Sequence, residues 1–238
     1  MSPSAADMPP DLFSEMTWSD RKIDRAMLEK LSLLDTPVTL IRCDLEETDA
    51  TRLSFRGWVF DECRLHRTQF TGAHMEGVRW TRCRGGFTDF TGADLTDNAF
   101  VSSDFNNSNF RGARLSSARF TGCKLTGANL TETKAMLVIF EETLLTAASL
   151  RGFSFRKAVL NQLDFQFADL RSCDFRDAVF GDCSLREANL ADARFEGADL
   201  RGADLGGIRL QDARPFRGAT ISRSQASQLL AELGLNVQ

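Results

Sequence analysis

The sequence predicts an all-β solenoid closed by a helix at each end, and three regularities predict it. The first is a period of five. From Leu45 to Leu210 every fifth residue is the inward-facing one, and of these 34 positions only Ala50, Gly85 and Ala135 lack a large apolar side chain. The second is a companion position two residues earlier, held mostly by small residues such as Ala73, Ala93, Ala128 and Ala203. Its larger exceptions are Leu53, Trp58, Phe153, Leu163 and Ile208, and Asn98 is the polar one. The third is glycine: 11 of the 17 lie two residues after the large apolar position, where a corner favours positive φ.

A period of five fits neither the 3.6 residues of a helical turn nor the alternation of a long strand. It fits a short extended stroke with two side chains pointing inward, two residues apart, followed by a turn. Strokes and turns in series make a coil whose backbone bonds to the next coil at about 4.8 Å. The unit reads Ala93-Asp94-Leu95-Thr96-Asp97, Ala128-Asn129-Leu130-Thr131-Glu132 and Ala198-Asp199-Leu200-Arg201-Gly202. These units resemble the A(D/N)LXX motif of the pentapeptide-repeat family, over about 170 residues. The resemblance implies four units per coil and a right-handed quadrilateral β-helix. Thirty-four units then make about 8.5 coils, a rod on the order of 41 Å long.

Column arithmetic agrees with twenty residues per coil. Cys43, Cys63, Cys83, Cys123 and Cys183 are separated by multiples of 20, and Phe60, Phe100, Phe120, Phe140 and Phe180 share another column with Trp80. Like stacked on like fills a core without voids. The register never breaks, and Gly85-Gly86-Phe87 is the one expected local distortion.

A solenoid has open edges that need covers. Residues 1–39 form an N-terminal extension in which Trp18–Leu34 reads as an amphipathic helix, with Ile23, Met27, Leu31 and Leu34 on one stripe. Val38–Ile41 enters the first coil, and residues 40–214 are the β-helix. In residues 215–238, Pro215 closes the repeat and Ser222-Arg223-Ser224-Gln225 is a capping box. Ala226, Leu229, Leu230 and Leu233 make an apolar stripe that Gly234 ends. The segment resembles the cap through which fluoroquinolone-resistance members of the family dimerise. A homodimer is therefore expected, with Leu229, Leu230, Leu233, Leu235 and Val237 as candidate dimerisation residues.

The 238 residues are 42% hydrophobic and 26% charged, with a formal charge of −4, 19 Phe and no Tyr. No apolar run approaches the ~18 residues of a membrane span, and Met1–Pro10 lacks a basic stretch followed by an apolar core. No membrane association and a cytoplasmic location with reduced thiols are expected. All six cysteines, Cys173 included, fall on the small inward position, where Cys packs like a slightly larger Ala. There is no C-x-x-C pair, and no metal is expected. His66 and His74 are outward, and the carboxylate pairs Glu46/Glu47 and Glu141/Glu142 sit on convex ground. Acid–base chemistry needs a pocket that shifts pKa values. No enzyme, catalytic residue or cofactor is expected.

Two partner surfaces compete. Asp49, Asp89, Asn109, Asn129, Asp169 and Asn189 line one outward column, where short polar side chains can bond the backbone near turns. The resemblance adds a second reading, because the fluoroquinolone-resistance branch imitates duplex DNA with an acidic rod. Residues 41–125 carry 12 Lys+Arg and 11 Asp+Glu, whereas residues 126–212 carry 10 and 14, net −4. Asp164, Asp169, Asp174 and Asp199 are the candidate contacts of such a mimic. The partner would be DNA gyrase or another type II topoisomerase, protected from poisons such as quinolones, with no nucleic acid bound directly.

The other surface is apolar. Ile139, Val159 and Val179 are outward in one column, with Met136 and Leu137 at the adjoining corner. Contiguous exposed apolar residues mark interfaces. They point to an interaction scaffold or secreted effector that binds another protein. The extension Met1–Asp35 favours this reading, because gyrase-protecting members commonly begin near the first repeat. The loops that interrupt the repeat in clinical resistance members are absent.

Overall fold

A stroke of three residues cannot satisfy its own N–H and C=O groups, so each coil must bond to the coils on either side. The computed structural model describes residues 16–34, 36–208, 214–232 and 234–236. Met1–Pro10, Leu210, Leu233 and Val237 lie outside them. On one face the strokes form a nine-stranded parallel sheet in which sequence neighbours are spatial neighbours. Its strands are β1 (Met16–Ser19), β2 (Val38–Ile41), β3 (Val59–Asp61), β4 (Arg79–Thr81), β5 (Ala99–Val101), β6 (Arg119–Thr121), β7 (Ile139–Glu141), β8 (Val159–Asn161) and β9 (Val179–Gly181). From β2 onward each residue pairs with the one twenty further along, as Val59 with Arg79 and Phe60 with Trp80. The other faces keep the same step, in pairs such as Arg64 with Arg84, Asp89 with Asn109 and Asp94 with Arg114. β10 (Cys183–Ser184) and β11 (Ala203–Asp204) pair likewise. The chain is a quadrilateral β-helix, and parallel strands joined by successive crossovers wind right-handed.

The large apolar residues fill the axis as aromatic columns. Phe60, Trp80, Phe100, Phe120 and Phe140 stack with centroid spacings of 4.3, 5.7, 4.5 and 5.1 Å. Phe155, Phe175, Phe195 and Phe216 form a second column at 5.0, 4.9 and 4.9 Å. Gly85 breaks the pattern because the Phe105 ring occupies its place: a Cβ there would lie 2.3 Å from Phe105 Cε1.

The small inward position does more than save space. Its polar members donate to the carbonyl of the large residue 23 positions earlier, one coil back. Thr68 Oγ1 reaches Leu45 O at 2.7 Å, Cys63 Sγ reaches Leu40 O at 3.2 Å, and Asn98 Nδ2 reaches Met75 O at 2.5 Å. Asn98 also accepts from Trp80 Nε1 at 3.0 Å, so the polar exception is fully used.

Three expectations need correction. The N-terminal helix does not begin at Trp18. Met16–Ser19 is β1, paired with Val38–Ile41, so the extension adds a rung before the helix. Helix α1 spans Arg25–Ser32 with Asp24 as N-cap, its carboxylate accepting from Met27 N at 2.8 Å. Leu28 joins Leu31 in the core, while Leu34 is exposed.

Gly85-Gly86-Phe87 does not distort the ladder. Gly85 and Phe87 donate to Asp104 O and Asn106 O at 2.7 and 2.8 Å, in register. The break lies elsewhere, between the coils that carry β7 and β8. Corners, finally, are left-handed whether or not glycine occupies them, as at Glu47 (φ 57°), Leu137 (φ 58°) and Lys157 (φ 61°). Inter-coil bonding must therefore offset a strain of roughly 1–2 kcal/mol at each such corner.

Candidate protein-binding site

β7, β8 and β9 present Ile139, Val159 and Val179 outward, at 37%, 66% and 44% exposure. The preceding corner carries Met136 and Leu137, exposed at 73% and 79%. Above the column the equivalent position is Arg119, and below it is Asp199. The five candidate apolar residues thus lie together, as an island between charged rungs.

The ladder opens beneath this island. One coil earlier, Leu115 N–H donates to Lys134 O at 2.9 Å and Ser117 N–H to Met136 O at 2.8 Å. One coil later, Phe155 N–H donates to Asp174 O at 2.8 Å and Lys157 N–H to Arg176 O at 2.9 Å. The equivalent bonds from Ala135 to Ser154 and from Leu137 to Arg156 are not made, nor are those from Ser154 to Thr133 and from Val159 to Val138. Between β7 and β8 only Glu141 and Asn161 remain paired. The coils rejoin at Leu130 N–H to Ser149 O (2.8 Å) on one side and at Glu142 N–H to Asn161 O (3.2 Å) on the other.

Two exceptions to the repeat pattern meet at the gap. Ala135 leaves the large slot short, so the aromatic column below it ends at Phe155. Phe153 is too long for the small slot and turns toward that space, with its ring 4.9 Å from Phe155 and 5.9 Å from Phe140. Trp58 fills the same kind of slot without opening the ladder, so the ring alone does not account for the gap, and the short slot beside Phe153 sets this coil apart. The result is a cleft of about 610 Å³, lined by Ala135–Glu141 and Ser154–Leu160. Both anomalies are visible in the sequence, but they stand 18 positions apart, and only the coil geometry brings them together.

The candidate acidic residues do not converge. Asp164, Asp169, Asp174 and Asp199 are spaced by multiples of five that are not multiples of twenty, which puts them on four different faces. Three are held by an arginine two residues on. Arg171 donates to both carboxylate oxygens of Asp169 at 2.7 and 2.6 Å. Arg176 does the same to Asp174 at 2.8 and 2.6 Å, and Arg201 to Asp199 at 2.9 and 2.6 Å. These bonds hold the carboxyls of Asp169 and Asp174 below the usual range and that of Asp199 at about 2. Asp164 instead accepts from Gln166 N at 2.9 Å and from Thr146 Oγ1 at 3.0 Å.

At the C-terminal end, helix α2 spans Arg223–Glu232. Its capping box forms: Ser222 N donates to Gln225 Oε1 at 2.6 Å, and Gln225 N to Ser222 Oγ at 3.2 Å. The buried Gln225 also donates through Nε2 to Leu200 O and Ala203 O, at 2.7 and 2.6 Å. The capping-box spacing marks Gln225 but carries no signal for this anchor on the last coil. Leu229 is buried, whereas Leu230 and Leu235 are exposed. All six cysteines are buried and free. Among the described residues no group of His, Cys, Asp and Glu has the arrangement of a metal site, and no helix is long and apolar enough to cross a membrane.

Comparison with known proteins agrees with this architecture. The full-length structure of QnrB1, a plasmid-mediated fluoroquinolone resistance protein, aligns at a TM-score of 0.58 and 16% identity, over 93% of this chain and 98% of that one. HetL, a pentapeptide repeat protein involved in heterocyst differentiation regulation in the cyanobacterium Nostoc sp. strain PCC 7120, aligns at 0.35 and 20% identity, over 79% and 86%. No curated protein matches the chain in sequence. Residues 36–110 match the family described as pentapeptide repeat region, and residues 139–177 and 178–214 match pentapeptide repeats (8 copies). With coils of four five-residue units and these matches over more than half of its length, the chain belongs to the pentapeptide-repeat family.

Proposed function

We propose that this chain is a non-enzymatic protein-binding rod whose partner docks on the apolar island of Met136, Leu137, Ile139, Val159 and Val179. One observation carries the reading: five large apolar side chains are exposed side by side on a rod whose core uses none of them. Patches of this kind mark interaction sites. Replacing Ile139, Val159 and Val179 with Ser tests it. The residues point away from the axis, so stability should change by no more than about 0.5 kcal/mol each. Proteins captured by the purified rod should be lost from the variant. Equal capture by the two rejects the island as the site.

A second reading is favoured by the acid excess of residues 126–212, which carry 14 Asp+Glu against 10 Lys+Arg on a rod whose fold is similar to that of a fluoroquinolone resistance protein. Here the rod mimics DNA, binds DNA gyrase or another type II topoisomerase, and protects it. The pairing of Asp169, Asp174 and Asp199 with their own arginines weighs against a concentrated negative field. A supercoiling assay decides it. The intact rod should act at micromolar concentration, added salt should weaken binding, and Asp164→Asn, Asp169→Asn, Asp174→Asn and Asp199→Asn together should raise the concentration needed. No effect of the intact rod removes this reading.

A further inference from the structure

The apolar island is not only a surface, because it roofs a gap in which backbone groups have no protein partner. The N–H groups of Ala135, Leu137, Val138, Ser154 and Val159 make none of the bonds their counterparts make in neighbouring coils. Buried or half-buried main-chain groups of this kind are satisfied when another strand is laid against them. The lining supplies the rest of a peptide site. Ala135, Val138 and Ala158, on the two lips, are only partly buried, although their equivalents in most other coils are fully enclosed.

The charged residues that line the cleft are Glu141, Arg156 and Lys157, and the two outside ion pairs among the described residues are both basic. Arg156 and Lys157 line the mouth and take part in no ion pair among the described residues. The carboxylate at the far end, Glu141, already faces Arg119 at 3.7 Å and Thr121 Oγ1 at 3.5 Å.

We propose that the cleft between the coils of β7 and β8 binds an extended segment of a partner protein, apolar at alternate positions and carrying carboxylates that meet Arg156 and Lys157. The main chain of the segment bonds to the free N–H and C=O groups of a lip, and its apolar side chains pack against Ala135, Val138, Phe155 and Ala158. The proposal rests on the reading of the rod as a protein-binding module and makes it specific. The recognised feature is a strand with acidic character, and the cleft supplies the broken rung.

The test uses the intact chain and a blocked octapeptide of alternating Val and Glu, with an alternating Val and Lys peptide as control. Amide hydrogen exchange should be fast at Ala135, Leu137, Val138, Ser154 and Val159 in the free rod and slow at their counterparts in the coils on either side. The Val-Glu peptide should protect those amides, and the Val-Lys peptide should not. Arg156→Glu with Lys157→Glu, both on exposed side chains, should weaken the acidic peptide by about tenfold or more.

Ala135→Leu with Phe153→Ala restores the repeat pattern at nearly constant core volume. It should close the ladder and abolish peptide binding while leaving Ile139, Val159 and Val179 exposed. Protected amides at Ala135, Leu137 and Val138 in the free rod, or no protection by the acidic peptide, would overturn the proposal. So would undiminished binding by the charge-reversed variant. Should the Ser variants of Ile139, Val159 and Val179 lose partner capture while the closed variant keeps it, the cleft is excluded and the docking face stands.

Discussion

Arg171 closes on Asp169 with two parallel hydrogen bonds, Nε to Oδ1 at 2.7 Å and Nη2 to Oδ2 at 2.6 Å. The same fork recurs at Asp174–Arg176 and Asp199–Arg201, so a motif that reads as surface acid is a set of self-neutralised corners. The pairs set a pH dependence. Each carboxyl has a lowered pKa in the fold, chiefly through the arginine hydrogen bond, and that of Asp199 falls to about 2. A depressed folded pKa stabilises above the unfolded value of about 4 and is lost as pH falls through the folded value. Thermal melts should fall between about pH 4 and pH 2, and by less in a variant with Asn at all three positions. An identical fall in that variant would show that the pairs do not contribute.

The thiols should be inert. Burial pushes Cys123 up to about 11 and Cys173 up to about 12, and both lie within the coil wall. The thiolate is the reactive form, so an aromatic disulfide reagent at neutral pH should label the native rod slowly and the denatured chain fully. Rapid labelling of six groups in the native protein would contradict the inward register.

Gln225→Ala should loosen the C-terminal cap. It strips a partner from the carbonyls of Leu200 and Ala203 and from the N–H of Ser222. Leaving buried acceptors unmet costs about 1–3 kcal/mol. Exchange should accelerate first in the amides of α2 and the last coil, and chemical denaturation should shift to lower denaturant.

The exposed Leu230 and Leu235 lie on the cap, beyond what covering the last coil requires. Light scattering of the intact chain should give the mass of a homodimer, and truncation after Pro215 should give monomers or aggregates. A monomeric intact chain would remove the twofold rod that the DNA-mimic reading needs.

Much of this architecture is legible along the chain because a repeat writes its packing locally. Phe60, Trp80 and Phe100 fall in one column as soon as the coil length is known, and the capping box at Ser222–Gln225 forms as its spacing implies. The sequence starts the helix early because the stripe of Ile23, Met27, Leu31 and Leu34 does not mark where the helix begins. The stronger demand came from the open edge of β2, which takes Met16–Ser19 as one more strand.

By itself, then, the sequence determined the period, the inward and outward positions, the column of apolar residues at 139, 159 and 179, and the family. Each of these depends on neighbours at fixed separations along the chain. Tertiary structure decided what those residues do together. Only in three dimensions do Ala135 and Phe153 become one defect, because the coil places the short slot beside the overfilled one. Only there does Gln225 find two carbonyls more than twenty residues away. The physical reason is common to both: a side chain's partner in a solenoid is set by the stacking of coils, and an exception at one position acts through the coil above or below.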